Sequence, residues 1–169
     1  MWMLKLSAVA LAIQVVSAAT ILDSIHEVDG STGALGSSVK SWKGNFLGTL
    51  PIIGASTVLL GDINDGTKTA KASAPLTLDE ALDVAGATIS LGDTVNSTLQ
   101  AVIDRRPDFQ KLLLGPVILG TLEMQKSATD RYTAAVLEKV PQEAQAIARD
   151  LIGDIESSFQ KALDAYKLF

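Results

Sequence analysis

Apolar residues recur along this chain at helical intervals. From residue 21 to 42, Ile21, Ile25, Val28, Thr32, Leu35, Val39 and Trp42 are spaced alternately by four and three, one stripe of an amphipathic helix. Gly30, Gly33 and Gly36 fall on its flank and back, each costing roughly 1 kcal/mol relative to alanine, so a break near Gly30 is open, and Gly44 is a plausible stop. Pro51 suits the first turn of a second helix, whose stripe is Ile52, Ile53, Ser56, Leu59, Leu60, Ile63, Thr67 and Ala70. The polar stretch from Asp62 to Ala74 is its weakest part, and the segment SAPLT interrupts the pattern.

Thr77 followed by Glu80 reads as a capping box opening a third helix, from Leu78 to about Arg106. Ala81, Leu82, Ala85, Ile89, Val95, Leu99, Val102 and Ile103 make its apolar arc. Residues 108–114 read as a short helical turn between Pro107 and Gly115–Pro116. A fourth helix runs from Pro116 to about Lys139, with Val117, Thr121, Met124, Ala128, Tyr132 and Ala135 inward. A fifth opens at Pro141 and presents Ala144, Ile147, Leu151, Ile155, Phe159, Ala162 and Tyr166. No run of alternating β-branched and polar residues suggests a strand. The expected fold is all-α, an antiparallel bundle of about five helices. Leu35, Val39, Leu151, Ile155 and Phe159 should lie buried at helix contacts, because they hold the stripes of the two terminal helices.

The first 19 residues stand apart. Lys5, an apolar run from Leu6 to Val16 and small residues at Ser17, Ala18 and Ala19 have the layout of a secretory signal peptide. The apolar run is shorter than the ~20 residues of a spanning helix. Cleavage after Ala18 or Ala19 would leave residues 20–169 as one helical domain. The product is expected to be secreted, because the ending DAYKLF lacks the pattern of a lipid-anchor signal and no later segment has spanning length.

Charge narrows the partners. Lysine and arginine number 14 against 19 aspartate and glutamate, and only Lys5 of these lies in the leader. Such an acidic chain lacks the basic footprint of a nucleic-acid binder. It should also be repelled by anionic lipid headgroups unless buried apolar area outweighs the repulsion. With no cysteine, the core alone must hold the fold.

Catalytic and metal chemistry finds little support, so no enzyme, metal or cofactor is expected. His26, the one histidine, sits on the exposed flank of the first helix. Asp62-Ile63-Asn64-Asp65-Gly66 has the flavour of a calcium loop but lacks the later bidentate glutamate. Asn96-Ser97-Thr98 is an N-glycosylation sequon. Yet Asn96 follows Leu78 by five full turns and shares a face with Leu82, Ala85 and Ile89, with Gln100 one turn on. Either the helix is distorted there and Asn96 carries a sugar, or Asn96 and Gln100 face inward and bind a ligand's polar end.

Three segments carry a family likeness: ILDSIHEVDGSTGALGSSVKSWKG after the leader, the SAPLT break with the RRPDF junction, and the ending IESSFQKALDAYK. Together they resemble the fungal hydrophobic-surface-binding proteins and their relatives, the cell-wall galactomannoproteins. The resemblance implies a five-helix domain, secreted or wall-associated. Some relatives adsorb to hydrophobic surfaces and assist secreted esterases, and others enclose fatty acids between the helices. The leading expectation is a carrier of fatty acids or other apolar ligands, because a bundle interior suits such a pocket and few aromatic rings interrupt the aliphatic inventory. Leu59, Leu60, Ile63, Ile89, Val95, Leu99, Val117 and Met124 are the expected walls, with Asn96 and Gln100 at the polar end. The alternative is a surface-adsorbing wall protein that coats hydrophobic surfaces and recruits secreted hydrolases.

Overall fold

The computed structural model describes residues 18–167, with side chains from Thr20 onward. The leader expectation therefore falls outside the described residues but for Ala18 and Ala19. Six α-helices follow in order: α1 Ala18–Ser41, α2 Thr49–Ala72, α3 Leu78–Asp104, α4 Arg106–Lys111, α5 Gly115–Leu137 and α6 Gln145–Lys167. A 3-10 turn, Gln142–Ala144, leads into α6. The described residues form an all-α bundle of five long helices, with α4 as the short turn expected between Pro107 and Gly115. α1 runs unbroken past Gly30, and the polar part of α2 stays helical through Ala72.

Short connections make consecutive long helices antiparallel. α1, α3 and α6 thus run one way, and α2 and α5 the other. Cross-helix contacts keep step with this arrangement. Ser158 Oγ donates to Asn96 Oδ1 and Tyr166 Oη to the Val102 carbonyl, so α6 rises beside α3 in parallel. Ser56 meets Gln125 and Gly66 meets Tyr132, which sets α2 parallel to α5. The capping box is present: Thr77 Oγ1 accepts from the Glu80 N–H, and Glu80 Oε2 accepts from the Thr77 N–H at 2.8 Å.

Two helix pairs meet through glycine. A Cβ on Gly36 would sit 2.5 Å from Thr98 Oγ1, and one on Gly66 would sit 2.9 Å from the Tyr132 ring. α1 rests on α3 at the first position, and α2 on α5 at the second. Gly66→Val should therefore lower stability by about 1–3 kcal/mol, the usual cost of overpacking. Thermal unfolding of the variant reads this directly, and an unchanged midpoint would show that the ring yields freely.

Leu35, Val39, Ile155 and Phe159 are buried as expected. Leu151 is only half-buried, and Ile147 is 52 % exposed. α6 turns these two toward the end of the bundle where it begins, so its stripe emerges from the core there.

Candidate functional site

The interior of the bundle is a long aliphatic seam. α1 contributes Ile25, Val28 and Leu35, and α2 contributes Leu59 and Ile63. α3 adds Val84, Leu91, Val95 and Leu99, while α5 and α6 close it with Leu122, Val136, Ile155 and Phe159. Along the seam lies a cavity of about 90 Å3. A small-molecule site usually encloses ~300–1,000 Å3, so a fatty chain entering here must push the helices apart. The seam reaches the surface where Leu82 and Ile147 line it, 53 % and 52 % exposed. That mouth lies at the starts of α3 and α6.

Most polar groups on the wall are already bonded. Thr32 Oγ1 donates to the Val28 carbonyl, Thr88 Oγ1 to Val84, and Thr98 Oγ1 across to the Thr32 carbonyl at 3.1 Å. With their hydroxyl protons given to backbone carbonyls, these threonines offer the cavity no free donor. The Tyr132 hydroxyl lies 2.8 Å from Ser24 Oγ, and because Ser24 Oγ already donates to the Ile21 carbonyl, Tyr132 is the donor between them. Burial pushes its pKa up to about 12 against the lowering effect of Ser24, so it stays protonated throughout the physiological range.

Gln125 is the most versatile polar group of the wall. It is 4 % exposed, and its Nε2 donates to Ser56 Oγ at 3.0 Å. An amide has two donors and an acceptor, and Ser56 uses one donor.

The expected site residues divide. Leu59, Ile63, Val95 and Leu99 stand on the cavity wall. Leu60 is half-buried against the core but does not line the cavity. Ile89, Val117 and Met124 point outward, 53 %, 57 % and 56 % exposed. Asn96 and Gln100 are exposed too, in a shallow polar concavity with Lys40, Ser97, Asp104 and Arg105. Gln100 Nε2 donates to Asp104 Oδ1 at 2.8 Å, on the outside of α3. The shared face of Asn96, Leu78 and Ile89 is real, but it is the outer face. The inward arc of α3 runs through Val84, Leu91, Val95, Thr98 and Val102 instead.

Sequence reasoning missed Gln125, Val84 and Leu91. On α5 the inward line is Leu122, Gln125, Thr129, Tyr132 and Val136, about one residue (100°) round from Met124. The spacing of Leu122, Gln125 and Tyr132 carried that signal, but a glutamine in the line reads as surface.

The described residues thus form a helical bundle closed around an aliphatic seam, with few free polar groups on its walls. The chain belongs to the family of hydrophobic surface binding protein A, whose model matches residues 18–138. It is 29 % identical over 145 residues to cell wall mannoprotein 1 of Aspergillus flavus, covering 86 % of this chain and 52 % of that one. The chain thus spans about half the length of the curated relatives it matches. A structure of AFMP4P in complex with palmitic acid superposes with a TM-score of 0.85 at 23 % identity, covering 89 % of this chain and 99 % of that one. Ligand binding domain 2 of Penicillium marneffei MP1, complexed with multiple arachidonic acids, gives 0.84 at 21 %, covering 89 % and 96 %. These structural likenesses establish a shared fold.

Proposed function

We propose that this protein is a secreted carrier that holds a fatty acid, or a ligand of similar shape, along its interior seam. What supports this above all is the lining: leucine, isoleucine and valine from five helices meet around the cavity, and Thr32, Thr88 and Thr98 on its wall spend their hydroxyl protons on backbone carbonyls. A flexible apolar chain is the ligand such walls favour, since each buried CH2 contributes ~0.8 kcal/mol. The solved relatives that hold palmitic and arachidonic acids on the same fold lend weight to this choice. We read the protein as a binder without catalytic work, in keeping with a family named for a surface it binds.

A native mass spectrum of the purified protein offered palmitate tests the reading. One or more acyl chains per protein are expected, and a protein that stays bare would refute it. Depletion from solution by hydrophobic beads, without any bound acyl chain, would favour the surface-adsorbing alternative.

Gln125 is the proposed polar anchor inside the seam. Its amide has capacity beyond the bond to Ser56, and a carboxyl headgroup or a bridging water would use it. Gln125→Leu should weaken palmitate binding by about tenfold, one hydrogen bond's worth, while the helical spectrum is retained. Unchanged titration by isothermal calorimetry would remove Gln125 from this role.

Asn96, moved to the outside, suits the sequon. The Ser158 Oγ donates to its Oδ1 at 3.4 Å, which leaves the Nδ2 available for an N-linked sugar. We expect secreted protein to begin at Ala19 or Thr20 and to lose mass on enzymatic deglycosylation. Intact mass reads both points, and a chain still starting at Met1 would refute the leader.

A further inference from the structure

Exposed apolar side chains gather at the end of the bundle opposite the mouth. The α1–α2 turn and the start of α2 present Phe46 at 63 %, Leu47 at 75 %, Leu50 at 59 % and Ile53 at 57 % exposure. Leu113 at 86 % and Val117 at 57 % join them from the α4–α5 turn. The two turns are held together: Trp42 stacks on Phe109 at 4.4 Å, and the Arg105 guanidinium donates to the Lys40 carbonyl at 3.0 Å. A contiguous exposed apolar patch on a folded protein marks a place of contact.

Leu113 is the most telling member. Its φ is +58°, the left-handed region where a bulky side chain is disfavoured and glycine is usual after a helix. Leu113 N–H bonds to the Gln110 carbonyl and Leu114 N–H to Phe109, the pattern that closes a helix with such a residue. Neither packing nor backbone preference explains a leucine here, since the side chain is almost wholly in solvent.

Charge is segregated in the same direction. Lys40, Lys43, Arg105, Arg106 and Lys111 stand in the same two turns or at the helix ends that flank them, against Asp104 and Asp108. Asp108 is already bridged by Arg105 and Lys111, both at 3.2 Å. At the other end, α3 opens with Asp79, Glu80 and Asp83, so the whole-chain balance of −5 conceals a basic pole.

We propose that this pole docks on the surface of an anionic lipid bilayer, with Phe46, Leu47, Leu50 and Leu113 entering the headgroup region and the nearby lysines and arginines meeting lipid phosphates and carboxylates. Apolar insertion combined with a basic rim is the pairing that holds a protein at such an interface. Repulsion expected from net charge is overcome because the acidic residues concentrate toward the far pole, beyond a Debye length of ~10 Å. The inference stands apart from the carrier reading, since the mouth lies at the other end and stays open to solvent.

Co-sedimentation of the purified protein tests it, with vesicles of phosphatidylcholine alone and of phosphatidylcholine mixed with phosphatidylserine. Binding is expected only to the mixed vesicles, and it should fall as salt is raised. Lys43→Gln combined with Lys111→Gln should weaken it by roughly tenfold or more, at about fivefold per charge. Leu113→Gly should weaken it by about tenfold while the thermal midpoint holds or rises, a pairing that a merely structural leucine would not give. Lys68→Gln, on the far half of α2, should bind as the unmodified protein does. Equal binding to neutral vesicles, no binding to either, or full binding by the patch variants would overturn the proposal. A dimer in solution that the Leu113→Gly change dissolves would overturn it too, assigning the patch to a second copy.

Discussion

Phe109→Ala is expected to lower stability by about 3–5 kcal/mol, the cost of emptying a large aromatic site in a packed core. Phe109 is 1 % exposed and lies on Trp42 with ring centroids 4.4 Å apart and planes 26° from parallel. Its ring therefore ties α4 to the end of α1, and through them the two turns at the basic pole. The stacking itself contributes roughly 0.5–1.5 kcal/mol beyond area burial. At about 2–4 °C per kcal/mol for a domain of this size, the midpoint should drop by roughly 6–20 °C. Differential scanning calorimetry checks it. Phe109→Leu should recover more than half of the loss, because it refills volume while giving up the ring stack. A drop of less than about 3 °C for the alanine variant would mean that α4 is dispensable to the bundle.

Val95→Trp is expected to cut palmitate binding by roughly a hundredfold, the loss of burying about three or four CH2 groups. Val95 is 7 % exposed at the middle of α3 and looks onto the cavity between α2, α5 and α6. Only about 90 Å3 is free there, so an added indole occupies the space through which an acyl chain must pass. Overpacking should cost about 1–3 kcal/mol of stability, which a bundle of this length tolerates. Saturating palmitate should raise the unmodified protein's midpoint by several degrees through mass action, at about 2.7 kcal/mol for a hundredfold excess over Kd. The variant should show no such rise. A normal ligand-induced shift in Val95→Trp would place the acyl chain elsewhere.

Much of the fold was legible because it is written in local signals. The stripes at intervals of three and four, the Thr77–Glu80 box and the prolines at 51, 107, 116 and 141 bracket the helices within a few residues of their observed limits. The site was less so. On α3 the apolar arc is wide, and Ile89 is as hydrophobic as Leu91, yet the first is 53 % exposed and the second 6 %. Two residues apart on a helix is 200° of rotation, so a small error in choosing the inward direction exchanges wall for surface. Leu82 illustrates the middle case: it is half in solvent and still lines the mouth.

The sequence by itself determined the class of fold and the aliphatic character of the interior, because periodicity and side-chain chemistry act over one or two turns. Which arc of each helix faces inward was decided only by tertiary packing. Gly36 admitting α3 against α1, and Gly66 admitting Tyr132 against α2, set those rotations through contacts between residues far apart in the chain. The same packing put Gln125 inside, against its polarity, and Asn96 outside, where spacing alone had left an inward ligand contact and an exposed sugar site both open. It also gathered the lysines, arginines and exposed leucines of separate turns into one pole. Net charge is a sum over the chain, whereas the field at a surface depends on where each charge stands.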